Sequence, residues 1–339
     1  MAQDPTIKWS SEENKLIMTS IYGKTHFIMP RGYTIDKTSD ALFRLAEILL
    51  LSPWHPELLD NKYNRKQGSK IGLSFSTGAD STAASVLLPD AVLAYHYRDF
   101  KTSLNHYNAM NMIKNMNRKV YVIKSNHEEI RTNHDLMPGF STDLAAAVHL
   151  VLLADYFNLG YISYGMVLES AYLMSGSKYR DFNTSEYWHK WSKLFKDAGL
   201  ELLLPTAGLS EVLTTKITNS SIYRDLSKSC IRRRGECLNC YKCFRKPSLL
   251  GSKIELNREA KYSISKKPPK MGTSMIYANQ MFDLGIKQLD EYKSLDVSFL
   301  NKYYRHAIDI LPEKHREAVE NEIKKHAEPM SSNDEELLK

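Results

Sequence analysis

Long apolar runs are missing from this 339-residue sequence. The longest, Leu144 to Phe157, is interrupted by His149 and Asp155, whereas a bilayer-spanning helix needs about 20 consecutive apolar residues. A basic region followed by an apolar core is also missing from the opening Met1-Ala2-Gln3-Asp4-Pro5, so we expect no secretory signal. These absences predict a cytoplasmic protein with no membrane partner.

A strong excess of charge is missing as well. The formal net charge is +7, and 42% of the residues are hydrophobic, which is enough to bury a sizeable core. The densest basic cluster is Arg232-Arg233-Arg234, and such a cluster is more often a solvated surface than a nucleic-acid groove. A nucleotide such as ATP explains the charge equally well. Nucleic acid and a second copy of the chain therefore stay open as partners.

Cysteines are few, but all four fall within 14 residues as Cys230-x6-Cys237-x2-Cys240-x2-Cys243. Four thiolates satisfy tetrahedral Zn²⁺, and short Cys-x2-Cys steps deliver neighbouring ligands from one turn. Disulfides are disfavoured in a cytoplasmic protein, and an iron–sulfur cluster is the alternative that stays open. With four protein ligands, the expected zinc site is closed and structural.

The most informative stretch is an apolar strand that ends in a loop of small residues. Ile71, Leu73 and Phe75 suit a buried strand, Gly78 is expected to adopt positive φ, and Ser81-Thr82 are expected to start a helix. Backbone N–H groups at a helix start can cradle a phosphate. The stretch lacks the Gly-Lys-Ser/Thr ending of a Walker loop, which argues against a P-loop NTPase. A connection that binds nothing is the alternative.

Strands and helices alternate from Lys70 onward, which predicts an α/β fold whose parallel sheet is covered by helices on both faces. Ligands of such sheets lie at the carboxyl ends of the strands. We predict strands at 71–76, 91–96, 120–124, 161–165 and 201–204, and helices at 81–88, 103–117, 142–157 and 210–219.

The flanking segments differ in pattern. Residues 1–68 are predicted to be a lead-in with a hairpin from Leu16 to Met29 and a helix from Thr38 to Leu50. The sequence thus divides into an α/β domain (69–228), a zinc-binding segment (229–251), a helical C-terminal region (252–330, with helical material at 274–310 and 312–327) and a flexible tail (331–339).

The loop residues Ser76-x-Gly78-x-Asp80-Ser81 resemble the Ser-Gly-Gly-x-Asp-Ser PP-loop of the ATP pyrophosphatase superfamily, with Thr77 at the position of the first glycine. Together with the sheet and the late cysteine cluster, residues 70–250 resemble the QueC family of 7-cyano-7-deazaguanine synthases. Leu202–Pro205, Ser210-Glu211, Ser229-Cys230 and Arg245 contribute to this likeness, the arginine with a one-residue shift.

The sequence also departs from that family. Phe140-Ser141 replace its Arg-Asn pair, and Met166-Val167-Leu168 replace polar positions after Gly165. An apolar pocket discriminates less strongly than a hydrogen-bonding one, so we expect an acceptor that is larger than the free deazapurine, or presented by a partner protein.

The resemblance implies an adenine nucleotide alpha hydrolase-like fold that binds ATP and Mg²⁺. It implies an AMP-forming ligase or amidase that adenylates a deazaguanine-like or partner-borne carboxylate and releases pyrophosphate. The ATP-binding residues would be Ser74, Ser76, Thr77, Gly78, Ala79, Asp80, Ser81 and Thr82. Of these, Asp80 and Ser81 would be catalytic together with Lys216, and the substrate would contact Gly165, Glu169, Arg180 and Asp181.

Two other functions stay open. One is a different PP-loop chemistry, such as tRNA base thiolation or sulfonucleotide reduction, although no cysteine lies outside the cluster to carry sulfur. The other is a non-catalytic zinc protein that binds nucleic acid through Arg232–Arg234.

Overall fold

A computed structural model describes residues 6–59, 64–99, 104–133, 143–174, 178–267, 269 and 271–339. Within these residues, eight strands form one sheet in the order β1-β2-β3-β6-β5-β4-β7-β8. The strands are β1 (Lys8–Glu12), β2 (Lys15–Ser20), β3 (Gly23–Ile28), β4 (Lys70–Ser74), β5 (Val92–Arg98), β6 (Val120–Ser125), β7 (Leu159–Tyr164) and β8 (Glu201–Leu202).

Five of these strands, β4 to β8, form the parallel part of the sheet, as the sequence predicts. The first of them, β4, lies at the centre. After β4 the chain continues to β5, which lies on one side of β4. The other neighbour of β4 is β7, and after β7 the chain continues in the opposite direction to β8. Two connections that leave neighbouring strands in opposite directions open a crevice at their carboxyl ends. The loop after β4 lies at this crevice.

The three N-terminal strands are antiparallel and extend the same sheet. The sequence predicts the hairpin of β2 and β3 but not β1, and it treats residues 1–68 as a separate lead-in. In the structure β3 pairs with β6 through Phe27 and Ser125. The N-terminal segment is therefore continuous with the parallel sheet.

Helices connect and cover the strands. The described α-helices are α1 (Asp40–Leu51), α2 (Ala79–Leu87), α3 (Tyr107–Asn115), α4 (His127–Asn133), α5 (Val148–Leu152), α6 (Ala154–Phe157), α7 (Leu168–Ala171), α8 (Glu186–Asp197), α9 (Glu211–Ser220), α10 (Tyr241–Ser248), α11 (Arg258–Ile264), α12 (Gly272–Phe282), α13 (Glu313–Lys324) and α14 (Ser332–Leu338). None of these is long and apolar enough to cross a membrane.

The sheet separates two hydrophobic cores. Leu93 of β5 and Tyr161 of β7 lie in one core, whereas the next residues along each strand, Ala94 and Ile162, lie in the other. Side chains of a strand alternate between its two faces, so both faces of the parallel part are buried. This confirms the predicted α/β class.

The predicted helix at 142–157 is not continuous, and its first residue lies outside the described part. A 3₁₀ turn at Asp143–Ala147 leads into α5, and Leu153 separates α5 from α6. The amide of Leu153 donates to the carbonyl of Leu150, three residues back. This 3₁₀-type bond tightens the chain and interrupts the α-helical ladder.

The C-terminal region is only partly as predicted. The segment 274–310 contains most of α12, which ends at Phe282, and then three short 3₁₀ turns in place of a continuous helix. The prediction of a flexible tail at 331–339 is wrong. Ser331 and Asp334 form a capping box, Lys302 contacts Asp334 at 2.7 Å, and Leu338 is buried, so α14 is anchored at both ends.

Gly165 lets β7 approach the start of α2. A Cβ atom at this residue would lie 2.6 Å from both the carbonyl carbon of Asp80 and the amide nitrogen of Ser81. Gly78, in the same crevice, has φ −75°, and a Cβ atom there would have 3.7 Å to its nearest neighbour. The two glycines therefore differ in the space that they require.

We expect Gly165→Ala to lower the free energy of unfolding by about 1–3 kcal/mol, because the backbone of α2 must move. Gly78→Ala is the matched control and should change the free energy of unfolding by less than about 1 kcal/mol, because its φ suits alanine although alanine is a poorer N-cap than glycine. Urea denaturation of both variants measures the difference. Equal losses would contradict the close approach of β7 and α2.

Candidate functional site

The loop after β4 makes its tight turn at Thr77. Thr77 has φ +65°, in the left-handed region, whereas Gly78 has φ −75° and is the N-cap of α2. The prediction of a positive φ at Gly78 is therefore wrong. The left-handed residue stands where the PP-loop family has its first glycine, and a β-branched residue is strained there.

The helix that follows starts two residues earlier than predicted, at Ala79. The amide of Thr82 donates to the carbonyl of Gly78, the first bond of the helix. The N–H groups of the preceding residues have no acceptor within an α-helix, and such groups at a helix start can donate to an anion. The hydroxyls of Ser76 and Ser81 lie 3.0 Å apart beside it.

Hydroxyl groups from the segment 214–227 hold this loop. Ser227 Oγ donates to the carbonyl of Thr77 at 3.0 Å, and Thr218 Oγ1 donates to the carbonyl of Ala79 at 2.8 Å. Ser74 Oγ donates to the carbonyl of Ala146 on the other side. The loop conformation is therefore fixed by side chains distant in sequence.

The cation at the loop is Lys246, which the sequence analysis did not select. Lys246 Nζ lies 3.0 Å from Asp80 Oδ1 and 2.7 Å from Glu211 Oε1. Burial opposes the charged form, but the two carboxylates outweigh it and raise the pKa of Lys246. The only available signal was its position three residues after Cys243, where the QueC pattern has an arginine.

The structure places the predicted catalytic residue Lys216 away from the crevice. Lys216 Nζ donates to Tyr277 OH at 3.1 Å and also contacts Asn301 Oδ1. Lys216 is absent from the residues described as lining the crevice. On α9 it is two residues, or about 200° of helical turn, from both Thr214 and Thr218, whose hydroxyls donate to the loop, so its side chain leaves the opposite side of the helix.

Charged side chains behind the loop are almost completely buried. Glu211 Oε1 also accepts from Arg245 Nη2 at 2.8 Å. Burial alone would raise the pKa of Glu211, but the ammonium of Lys246 and the guanidinium of Arg245 outweigh it and hold the pKa well below its ordinary value. Glu211 is therefore ionised at neutral pH and fixes two cations near the loop.

These residues line a crevice with a volume of about 320 Å³ at the carboxyl ends of the parallel strands. All of the predicted ATP-binding residues except Thr82 line it, and Thr82 is buried behind them. Gly165 lines it as well. Lys228 and Lys242 add positive charge at its rim, which suits a polyanionic ligand.

The other predicted substrate residues lie elsewhere. Arg180 donates to the carbonyls of Ala171 and Ser170, and Asp181 lies near His306 in a separate depression. Glu169 is buried behind α9. We therefore correct the prediction that these three side chains contact the substrate: after Gly165, the chain turns away from the crevice.

The four cysteines form one buried cluster next to the crevice. Their sulfur atoms all lie within 4.8 Å of one another, and Cys237 Sγ is 3.7 Å from Cys243 Sγ. Tetrahedral zinc with bonds of about 2.3 Å separates its sulfur ligands by roughly 3.8 Å. Each cysteine is unpaired by disulfide. The donor set and its spacing thus fit a tetrahedral metal ion.

Two asparagines that the sequence analysis missed support the cluster. Asn108 of α3 donates to the carbonyls of Cys230 and Gly235, and its Oδ1 accepts from the amide of Gly235. Asn257 donates to the carbonyls of Leu238 and Cys240. Single polar residues on ordinary helices carry no local pattern that predicts such contacts.

The cluster and the crevice share one helix. Cys240 is the N-cap of α10, where its sulfur accepts from the amide of Cys243, and the same helix carries Arg245 and Lys246. Cys230 lines the crevice. A metal ion bound by the cysteines would therefore fix the start of the helix that supplies the cation to Asp80.

The arginine run near the cluster makes contacts within the chain. Arg232 pairs with Glu259 at 2.9 Å, Arg233 donates to the carbonyl of Glu236, and Arg234 lies over the ring of Tyr107. Only the pair of Arg232 with Glu259 balances a charge, so Arg233 and Arg234 keep theirs, and all three residues are exposed.

A second group of side chains that could hold a metal, His96, His127 and Glu128, has ligating atoms within 4.8 Å of one another, and His96 also lines the crevice. The two imidazole rings stack with their planes 13° apart and their centroids at 4.7 Å. One ion cannot lie in the planes of both stacked rings. This arrangement indicates packing rather than chelation.

Comparison with known proteins identifies one family. The model of a family of unknown function (DUF6395) matches residues 190–339, which include the cysteine cluster, Glu211 and Lys246 but not the loop after β4. No curated protein and no solved structure matches the chain. The similarity to DUF6395 thus covers less than half of the sequence.

Proposed function

We propose that this protein is a QueC-type, AMP-forming ligase that uses ATP to adenylate a carboxylate and releases pyrophosphate. The observation that carries the proposal is the contact between Lys246 Nζ and Asp80 Oδ1 at the start of α2. A helix start, two serine hydroxyls and a buried ammonium converge there, at the carboxyl end of the central strand. This combination of donors suits the oxygens of a phosphate or pyrophosphate group.

In the proposed reaction, a carboxylate oxygen of the acceptor attacks the α-phosphorus of ATP. A bond forms between that oxygen and the phosphorus, and the bond from the α-phosphorus to the bridging oxygen breaks. The electron pair leaves with pyrophosphate, on which negative charge grows. The N–H groups at the start of α2 and Lys246 Nζ would stabilise that charge. Mg²⁺ would enter with ATP and neutralise part of the phosphate charge.

The acceptor has an available position beside the loop. A depression of about 230 Å³ adjoins the crevice and shares Ala79, Lys228, Lys242 and Lys246 with it. Met166, Val167 and Leu168 are buried outside both lining sets, and Phe140 lies outside the described residues. The open, cationic depression supports a carboxylate acceptor, whether small or carried by a partner protein.

The other PP-loop chemistries receive less support. All four cysteines belong to the buried cluster, so a sulfur-transfer or reductase mechanism would have to use a thiol of the proposed metal site. The arginine run, which would serve a nucleic-acid-binding protein, is engaged within the chain. The ligase hypothesis uses the crevice, the loop and the cluster together.

Wild-type protein should convert ATP to AMP and pyrophosphate in the presence of Mg²⁺ and ammonium, but only slowly with free 7-carboxy-7-deazaguanine as the test acceptor, because we expect the true acceptor to be larger or presented by a partner protein. Lys246→Ala should lower kcat/KM for ATP by about 10²–10³, because it removes a charged donor to the leaving group. Asp80→Ala and Ser81→Ala should each remove most turnover. Lys216→Ala is the matched control and should stay within about threefold of wild type.

Anion-exchange chromatography of the products measures how much AMP and how much ADP is formed. Melting temperatures show that each variant folds. ADP and orthophosphate as products would contradict the AMP-forming reaction. A loss in Lys216→Ala equal to that in Lys246→Ala would contradict the assignment of Lys246.

Metal analysis should find one zinc ion per chain, held by the four cysteines. Cys240→Ser separates two roles, since serine can still cap α10 but is a poor zinc ligand. We expect this variant to lose zinc and to lose more stability than the roughly 1 kcal/mol of a helix cap, because structural zinc binding is coupled to folding. ATP turnover should fall with it, because α10 carries Lys246.

Inductively coupled plasma mass spectrometry and thermal unfolding of the two proteins measure these effects. Iron with acid-labile sulfide in place of zinc, or a Cys240→Ser protein that retains a full equivalent of zinc, would contradict the assignment.

A further inference from the structure

Glu169 is a carboxyl group with no exposed surface, and it lies on α7 behind the crevice. Burial, and then the neighbouring carboxylate of Glu211, raises the pKa of Glu169 to about 7. A buried acid is costly unless hydrogen bonds compensate it. The hydrogen bonds of Glu169 therefore indicate the structural role of this carboxyl group.

Both carboxyl oxygens of Glu169 accept from the same donor, the backbone amide of Glu211, at 3.0 and 2.9 Å. Ser274 Oγ also donates to Oε1, at 2.7 Å. Glu211 is the first residue of α9, and the early N–H groups of a helix lack acceptors within the helix. Glu169 thus supplies an acceptor that fixes the start of α9.

The start of α9 in turn supports the loop. Glu211 Oε1 contacts Lys246 Nζ, which contacts Asp80 Oδ1. Thr214, three residues further along α9, donates to the same Asp80 oxygen at 2.6 Å. The first turn of α9 is therefore connected to Asp80 Oδ1 in two ways, directly through Thr214 and indirectly through Glu211 and Lys246.

We propose that Glu169 is a positioning residue of the nucleotide site, and that it acts by holding the amide of Glu211 so that Glu211 and Thr214 keep Lys246 and Asp80 in place. This inference rests on the proposed ATP site. Glu169 touches neither the loop nor the crevice. Its effect on ATP is exerted through α9, and Ser274 extends the same contact chain to the C-terminal region.

The test compares Glu169→Ala with Glu169→Gln. The glutamine retains a carbonyl oxygen for the amide of Glu211, whereas alanine leaves that amide without its acceptor. We expect Glu169→Ala to weaken binding of Mg²⁺-ATP and of pyrophosphate at least about tenfold in isothermal titration calorimetry, and Glu169→Gln to stay within about threefold. Hydrogen exchange at 211–216 should rise in the alanine variant only.

Two further variants separate positioning from general stability. Ser274→Ala removes one donor to Glu169 but leaves the amide of Glu211 bound, so ATP affinity should stay within about threefold. Ser185→Ala removes the N-cap contact of α8, which should lower the melting temperature without changing ATP affinity. ATP binding by Glu169→Ala at wild-type strength, or equal losses in the alanine and glutamine variants, would overturn the proposal.

A failure of the proposed function has a different signature. If wild-type protein binds neither ATP nor pyrophosphate, the ligase hypothesis fails, and the exchange of 211–216 still decides whether Glu169 holds α9. Unchanged exchange in Glu169→Ala would overturn the positioning role on its own.

Discussion

The ammonium of Lys246 is the point at which the separate parts of this protein meet. It contacts Asp80 from the loop after the central strand and Glu211 from α9. Lys246 itself belongs to α10, the helix whose N-cap is Cys240. Removing one member of a buried ionic group leaves its partners uncompensated, so such groups depend on one another strongly. The sheet, α9 and the cysteine cluster are held in one arrangement by this cation.

This arrangement also explains why the pKa values of the two buried glutamates near α9 differ. Glu211 faces two cations and stays ionised, whereas Glu169 faces an amide and a hydroxyl. The two neighbouring glutamates thus have pKa values shifted in opposite directions: the two cations lower the pKa of Glu211, whereas burial, and then the charge of Glu211, raise that of Glu169 against the effect of its two donors. The difference shows which carboxylate belongs to the ionic group and which one serves as a hydrogen-bond acceptor.

Local sequence patterns predicted much of the fold. The strands of the parallel sheet and the fold class followed from apolar runs and their spacing, and the cysteine cluster followed from its four closely spaced residues. Long-range contacts could not be derived in this way. Lys246 reaches Asp80 across 166 residues, and Asn108 reaches Gly235 across 127. The anchored tail was missed for the same reason, because Lys302 and Asp334 pair only after the C-terminal turns have packed.

The cysteine cluster has a consequence for the order in which the protein assembles. Its four cysteines lie within 14 residues, so an unfolded chain would already hold the whole donor set for a metal ion before the sheet exists. Asn108 joins the cluster from 122 residues away and can do so only after the chain has collapsed. Metal bound by the unfolded chain contributes less to stability than metal bound only by the native state. The difference in metal affinity between the two states would therefore determine how far a bound ion favours folding.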